Sequence, residues 1–397
     1  MNVKISCSNC KGQIKAIPSK SHAHRIAICN FIAGNEPNGG SGQFKSEDII
    51  ATERCLNGVL QGDNTLDCGE SGSTLRFLLP LMAARGGRYK FVGKGKLMSR
   101  PHDELFKVLI EHGVKVEKND GIEIDGKLTA GEYRLRGDIS SQYVSGLLMA
   151  LTLLEGKSEI VLTTALSSAP YVEITLDVLK GYGAKIEKTN SGFIIDGNQK
   201  LSGQKLAEGD WSNAAFFLVL GAIQGDIKMF GLNEKSLQAD KKILEILRLA
   251  GAKVDIDSEK VTVEKGELKA FTVDAEDCPD IVPIAAVLAA NCKGETRIKN
   301  ISRLKIKESD RIESTMTMLK AFSIDCECDG RDLTVHGGTP IGGKVDCYND
   351  HRIAMSGAIM AVVASGTSEI INAQAVSKSY PSFYEDLKSI GGSVEYV

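Results

Sequence analysis

Five stretches of the chain repeat one pattern: an amphipathic helix ending at a small residue, a short alternating strand, a turn and a second strand. They are LFKVLIEHGVKVEKNDGIEIDGKL from Leu105, ITLDVLKGYGAKIEKTNSGFIIDGNQKL from Ile174, ILEILRLAGAKVDIDSEKVTVEKGEL from Ile243, TMTMLKAFSIDCECDGRDLTVHGG from Thr315 and FYEDLKSIGGSVEYV from Phe383. With Gly113, Gly183, Gly251, Ser323 and Gly391 as equivalent points, the steps are 70, 68, 72 and 68 residues. Such regular spacing argues for duplication. The period exceeds the roughly 20–50 residues of solenoid repeats and suits a complete α/β unit with one helix face buried on a sheet. Apolar residues at helical spacing, as in Ile243, Leu244 and Leu247, precede a glycine where a left-handed C-cap stops a helix.

The 397 residues accommodate six such units if the first, around Ser46 to Gly72, is shortened. At roughly 100–200 residues per domain this length suits two domains, hence three units each. The sequence therefore predicts an α/β fold of two repeated-unit domains, with a boundary near Ala207 to Asp210 that no Pro/Gly/Ser-rich linker marks. Between the copies lie polar segments that read as strand-to-helix junctions.

Charge narrows the choice of partner. Forty-eight basic against 51 acidic side chains give a net charge of −3, so no global basic field exists to hold a nucleic acid, and any anionic partner should be small. MNVKISCSNCKGQIKAIPSKS has no apolar run of signal-peptide length, and no segment reaches about 18 uninterrupted apolar residues. The expectation is a cytoplasmic protein with no membrane partner. The ten cysteines are scattered; only Cys7 and Cys10 have metal-knuckle spacing, without a second pair to complete a zinc site. They read as reduced structural thiols, with Cys326 and Cys328 on one face of a strand.

Several junctions carry groups suited to anions. In IPSKSHAHR, Pro18 and Ser19 precede a helical run that puts Lys20, Ser21 and Arg25 in or near its first turns. Cations there oppose the helix macrodipole, which makes physical sense if an anion sits with them; the plainer alternative is a capped helix with solvated charges. DCGESGSTLR sets Gly69, Ser71, Gly72, Ser73 and Thr74 ahead of an apolar helix with Arg76 in its first turn. Small residues there let backbone amides approach an anion, although the GKS or GKT ending of a nucleotide loop is missing. Arg100, just before Pro101, should be held extended. Ser140, Ser141 and Gln142 open another apolar helix with neutral donors, and Ser168 and Tyr171 look similar. All of these also read as helix caps.

The second half supplies ionisable groups: Asp280 in DCPDIVPIAAVLAA, Lys307, Glu308 and Arg311 in KIKESDR, Asp350, His351 and Arg352 in YNDHRIAM, and Lys378 in SKSYPSF. Within KESDR, Lys307 and Arg311 are four apart and would share a helix face, with Glu308 turned aside. A solvated ion-pair face is the structural alternative for any one of these segments.

Taken together, SKSHAHR, GESGSTLR, SRP, SSQ, SSAPY, EGDWSNAAFF, PDIVPIAAVLA, KIKESDR, YNDHRIAM and KSYPSFY, in this order over nearly the whole chain, resemble the 5-enolpyruvylshikimate-3-phosphate synthase family of the shikimate pathway. The resemblance implies an inside-out α/β barrel fold of two domains, residues 20–207 and residues 1–19 with 208–397, each of three repeats, with the active site in the interdomain cleft. The first would be the shikimate-3-phosphate side and the second would carry most catalytic ionisable residues. It further implies transfer of the enolpyruvyl group of phosphoenolpyruvate to the 5-hydroxyl of shikimate 3-phosphate, by addition and elimination through a tetrahedral intermediate. No metal or organic cofactor is implied, and a monomer is expected.

By the same resemblance, Lys20, Ser21, Arg25, Ser140, Ser141, Gln142, Ser168, Asp280 and Lys307 would hold shikimate 3-phosphate. Lys20, Gly72, Arg100, Arg311, Arg352 and Lys378 would hold phosphoenolpyruvate. Asp280 would be the base and Glu308 the proton donor, reloaded by Lys378 or His351. The two domains would present basic walls that repel until the anions arrive. Glu70 stands where the family often has asparagine, Pro18 replaces a common glycine, and Arg303 occupies a frequent asparagine position. The related UDP-N-acetylglucosamine enolpyruvyl transferases normally open with a lysine-asparagine motif and carry a mobile-loop cysteine; SKSHAHR and SSQ favour shikimate 3-phosphate. RNA 3′-phosphate cyclases, built from similar repeats, need ATP and a nucleophilic histidine, and the acidic pI speaks against an RNA track.

Overall fold

The computed structural model describes residues 1–39, 45–203 and 205–397. They form two compact units, each with its own apolar core: residues 20–207, and residues 1–19 with 208–397.

The unit of residues 20–207 contains helices α1 (Lys20–Ile32), α2 (Glu47–Gln61), α3 (Gly72–Arg85), α4 (Asp103–Glu111), α5 (Ser141–Leu151) and α6 (Ala169–Gly181). Strands Thr65–Asp67, Gly87–Val92, Val114–Asn119 and Gly121–Gly126 make one four-stranded sheet, and Glu132–Leu135, Lys157–Leu162, Ile186–Lys188 and Gly192–Asp196 make another. In both, the first strand runs parallel to the second, and a hairpin adds to the second in antiparallel fashion. Between the first two strands comes a helix buried on nearly all sides, α3 or α5; these two pack on each other. Between the second strand and the hairpin comes an outer helix, α4 or α6, with one apolar face.

The other unit contains α7 (Trp211–Gln224), α8 (Ile243–Leu249), α9 (Val282–Ala290), α10 (Arg311–Ala321), α11 (His351–Val363) and α12 (Phe383–Ser389), and three sheets of the same order. Its inner helices α7, α9 and α11 pack on one another and lack a polar face, because they are enclosed by neighbours all round. The N-terminal segment completes two of these sheets. Gly12–Lys15 lies parallel to Ile227–Phe230, and Val3–Ser6 lies between Thr367–Ile371 and Ser393–Tyr396, antiparallel to both. The last copy of the repeat ends after one strand, and Val3–Ser6 supplies its missing partner, with Val3 opposite Tyr396 and Ile5 opposite Val394.

Five sheets thus follow the repeat. The shortened first unit departs from it: among the described residues α1 and α2 pack together without a four-stranded sheet of their own. The five equivalent points all adopt positive φ, at 95°, 84°, 92° and 101° for Gly113, Gly183, Gly251 and Gly391 and 61° for Ser323. The sixth is Gly62 after α2, at 93°. A left-handed residue follows each of these helices and turns the chain toward the next strand. All ten cysteines are free thiols, nine of them buried or half-buried.

Candidate active site

In four of the five sheet-bearing units the singled-out residues fall at the same two places, the start of the inner helix and the segment just before the outer one. Gly72, Ser140 with Ser141, and Asp350 with His351 and Arg352 begin α3, α5 and α11; Asp280 lies one turn before α9. Arg100, Ser168, Lys307 with Glu308, and Lys378 precede α4, α6, α10 and α12. Backbone N–H groups at these starts have no intrahelical acceptor, so anions and capping side chains gather there.

In the 20–207 unit, Lys20 opens α1 and pairs with Asp48 in the first turn of α2 at 2.8 Å. That carboxylate offsets the unfavourable cation at a helix N-terminus. Arg25, 2% exposed, donates from Nε to Thr175 Oγ1 at 2.6 Å, from Nη1 to the Ser21 carbonyl at 2.6 Å, and from Nη2 to the Tyr171 carbonyl at 2.9 Å and Ser145 Oγ at 3.3 Å. Its guanidinium also lies over the Phe77 ring. Four of its five N–H groups are used, every acceptor is neutral, and burial brings its pKa down to about 10. Among the described residues no carboxylate pairs with this buried cation, and Arg25 ties α1 to α5 and α6.

Ser71 caps α3, its Oγ accepting from Thr74 N. A Cβ on Gly72 would sit 2.9 Å from Arg100 Nη1 and 3.6 Å from Arg76 Nη1, so both guanidinium groups crowd this turn and a side chain here would have to displace Arg100. Arg100 is extended, φ −68° and ψ 153°, as its place before proline requires. Tyr143 donates to the Pro101 carbonyl at 2.6 Å, which anchors the Arg100 segment to α5. Gln142 accepts from Arg76 Nη1 at 2.6 Å and donates to Ser73 Oγ at 2.8 Å. Ser140 caps α5, and buried Ser168 precedes α6 in the left-handed region at φ 54°, a conformation that costs a serine energy. The Glu70 carboxylate packs against the Gly93–Lys96 turn, where a Cβ on Gly95 would lie 3.0 Å from it.

In the other unit the geometry centres on Arg311, 1% exposed. It donates to Asp350 Oδ2 from Nε at 2.8 Å, to Asp280 Oδ1 from Nη1 at 2.8 Å and to Glu308 Oε2 from Nη2 at 2.6 Å. Burial disfavours its charge, but Asp350, Glu308 and Asp280 overrule that and raise its pKa well above the ordinary value. Asp280 also meets Lys307 Nζ at 3.3 Å and Arg352 Nη2 at 3.6 Å. Burial would raise Asp280, yet Lys307, Arg352 and Arg311 outweigh it and hold the carboxyl well below its usual range. Burial lowers Lys307, with Asp280 opposing.

Two expectations need correction. KESDR is not one helical turn: Lys307 is extended, Asp310 is the N-cap and α10 begins at Arg311. Lys307 and Arg311 converge through Asp280 rather than a shared helix face, and Glu308 turns toward Arg311. Nor is this unit a bare basic wall, since Asp280, Glu308 and Asp350 match Lys307, Arg311 and Arg352.

Arg352 donates to the Ser212 carbonyl at 3.1 Å and lies over Phe216; His351 is buried beside it at the start of α11. Lys378 donates to the Asn349 carbonyl at 2.7 Å, where Tyr348 and Asn349 are both left-handed, at 51° and 57°. Two further carboxyls stand in this unit, Asp350, which the sequence placed among the ionisable groups without a site role, and Asp240, which it did not single out. Asp350, fully buried, caps α11, grips Arg311 and accepts from Ser309 Oγ at 3.0 Å; an aspartate just before an apolar helix was the available signal. Asp240 lies just before α8, the position equivalent to Lys307 and Lys378, and burial followed by the charge of Asp280 raises its pKa to about 6. Among the described residues no cluster of three or more His, Cys, Asp or Glu could hold a metal ion, and no helix is long and apolar enough to cross a membrane.

Residues 39–387 match the family described as EPSP synthase (3-phosphoshikimate 1-carboxyvinyltransferase). Among curated proteins, the 3-phosphoshikimate 1-carboxyvinyltransferase of Clostridium acetobutylicum is 40% identical over 423 residues, covering 99% of this chain and 98% of that protein. The protein of the same name from Clostridium novyi is 37% identical over 429 residues, covering 99% and 98%. Among solved structures, EPSP synthase from Acinetobacter baumannii aligns over the whole of both chains with a TM-score of 0.81 at 22% identity. The enolpyruvyl transferase NikO from Streptomyces tendae aligns with a TM-score of 0.78 at 17% identity, covering 100% of this chain and 98% of that one, so the fold is shared with both.

Proposed function

Because the chain belongs to the EPSP synthase (3-phosphoshikimate 1-carboxyvinyltransferase) family, we propose that it transfers the enolpyruvyl group of phosphoenolpyruvate to the 5-hydroxyl of shikimate 3-phosphate and releases phosphate. The observation that carries the mechanism is Arg311, whose one guanidinium bonds both Asp280 and Glu308. Addition to an enol double bond needs a base for the hydroxyl proton and an acid for the methylene carbon, held a short distance apart. Asp280 takes the 5-hydroxyl proton, Glu308 protonates the methylene carbon, and the 5-oxygen of shikimate 3-phosphate bonds the carbon that bears the phosphate. The tetrahedral intermediate collapses as Glu308 recovers a proton from the new methyl group and phosphate departs with the proton from Asp280.

As it stands Asp280 is too weak a base, since three cations hold its proton affinity down. In this reading the substrates correct that. When their phosphates and carboxylates draw on Lys307, Arg311 and Arg352, Asp280 loses part of its charge compensation and its basicity rises as the reacting hydroxyl arrives. Arginine forks suit phosphate and carboxylate geometry. Lys20, Ser21, Arg25, Ser140, Ser141, Gln142 and Ser168, with Asp280 and Lys307, take shikimate 3-phosphate. Gly72, Arg100, Arg311, Arg352 and Lys378, again with Lys20, take phosphoenolpyruvate. Lys378 or His351 supplies the proton that Glu308 carries into the addition, and the elimination then restores it. Residues 20–207 act chiefly in holding shikimate 3-phosphate, and the other unit carries the proton transfers. The enzyme works as a cytoplasmic monomer, which the free thiols support for the location.

The test is to incubate the protein with phosphoenolpyruvate and shikimate 3-phosphate and follow inorganic phosphate, with UDP-N-acetylglucosamine as the alternative acceptor. Release with shikimate 3-phosphate alone is expected; release only with the nucleotide sugar overturns the reading.

A further inference from the structure

Behind the Gly72 turn runs a line of buried side chains to which the reaction above gives no role. His24 Nδ1 lies 2.7 Å from Thr52 Oγ1, and Thr52 Oγ1 lies 2.6 Å from Thr74 Oγ1. Thr74 in turn donates its hydroxyl to Ser71 Oγ at 2.8 Å. All four residues are at most 1% exposed, and together they connect α1, α2 and α3, ending at the residue that caps α3.

Counting protons gives the line a direction. Burial, and then the charges of Lys20 and Arg25, keep His24 neutral, so one ring nitrogen carries a hydrogen and the other does not. Nε2 is enclosed without a hydrogen-bond partner, with the Phe77 ring edge-on to the imidazole. A buried N–H left without an acceptor is rarer in proteins than an under-used acceptor, which puts the hydrogen on Nδ1, donating to Thr52. Thr52 then donates to Thr74 at 2.6 Å in preference to the Asp48 carbonyl at 3.4 Å. Thr74 donates to Ser71 at 2.8 Å in preference to the same carbonyl at 3.3 Å. Ser71 Oγ accepts that hydroxyl and the Thr74 N–H, which fills both lone pairs. Its own hydrogen is left over, beside Gly72 and the two arginines that crowd it.

We propose that His24 is a positioning residue whose Nδ1–H tautomer sets a one-way hydrogen-bond chain, leaving the Ser71 hydroxyl as a donor to the anionic group that phosphoenolpyruvate brings to the start of α3. The inference rests on the proposed donor substrate, but its first test does not. In protein carrying ¹⁵N-labelled histidine and no substrate, the ring-nitrogen shifts of His24 should report hydrogen on Nδ1. Hydrogen on Nε2 overturns the proposal whatever the substrates prove to be.

The second test is kinetic. Thr52→Val interrupts the chain with a side chain of similar shape, so that Ser71 can turn its hydrogen inward onto Thr74. The KM for phosphoenolpyruvate should rise about tenfold, the worth of one hydrogen bond to a charged group, with the KM for shikimate 3-phosphate changed less than about twofold. Thr52→Ser should restore the parent value. An equal rise in both constants, or none for phosphoenolpyruvate, overturns the proposal; if Thr52→Val does not fold, the tautomer measurement decides alone.

Discussion

Arg25 and Arg311 are both buried arginines at or near the start of a helix, and their surroundings are opposite. Arg25 bonds only neutral oxygens, and its pKa is lowered; Arg311 bonds three carboxylates, and its pKa is raised. A buried charge that lacks its opposite is costly, and an arriving anion removes the cost. A charge already shared among acids gains less from an anion, but it can govern how tightly those acids hold protons. In the proposed reaction this contrast would make the 20–207 unit the one that captures substrate and the other the one that moves protons.

The contrast can be broken most decisively at the acids. Asp280→Ala and Glu308→Ala should each lower kcat by roughly 10²–10⁴-fold, the range for losing a general base or acid, with far smaller changes in substrate binding. Near-normal turnover in either variant would mean the proton-transfer pair lies elsewhere. The two arginines come next. Arg311→Met leaves three carboxylates facing one another and should cost roughly 3–5 kcal/mol of stability by denaturant titration, as for a broken buried ion pair. Arg25→Met strands no carboxylate; its neighbours keep bonds of their own, Thr175 to Ser145 at 2.7 Å and to the Tyr171 carbonyl at 3.1 Å. It should therefore act mainly on the KM for shikimate 3-phosphate, and equal destabilisation by the two substitutions would erase the distinction.

Asp240 sharpens the same comparison through pH. An acid whose folded pKa is raised holds its proton more tightly folded than unfolded, which favours folding at low pH and is lost as pH rises through about 6. Asp240→Asn should match the parent's stability near pH 4 and exceed it at pH 7 and above. A constant difference across that window in Tm would show that Asp240 does not titrate as its burial implies. The smallest effect belongs to the repeat itself. Ser323 holds the left-handed position that glycine holds in the other copies, and Ser323→Gly should gain up to about 1 kcal/mol by relieving it. No gain would mean that the helix end is set by packing instead.

Much of this was legible in the sequence because it is local. The left-handed stops at Gly113, Gly183, Gly251, Ser323 and Gly391, the strand-to-helix junctions and the extended Arg100 all follow from residues within a few positions of one another. The inner helices were harder to see as members of the repeat: α7 or α9, buried all round, shows no periodic face to compare with α8 or α10. The coupling of Arg311 to Asp280 and Asp350 joins residues 31 and 39 positions away, and no local rule specifies such pairs. The same holds for Lys307, which a four-residue spacing placed on a helix that in fact begins after it. The unit around α1 and α2 carries no hairpin copy, so the sequence offered no measure of how far it was shortened.

The placement of Val3–Ser6 between Thr367–Ile371 and Ser393–Tyr396 bears on how the polypeptide matures as it leaves the ribosome. Their neighbours in the sheet are translated about 360 to 390 positions later, so the strand has no partner in this sheet until those neighbours are made. Residues 20–207 are one continuous stretch that forms a compact unit with its own apolar core, and they can settle meanwhile. Val3 and Ile5, both apolar and destined for full burial, are therefore the side chains most in need of shelter while the rest of the protein is made.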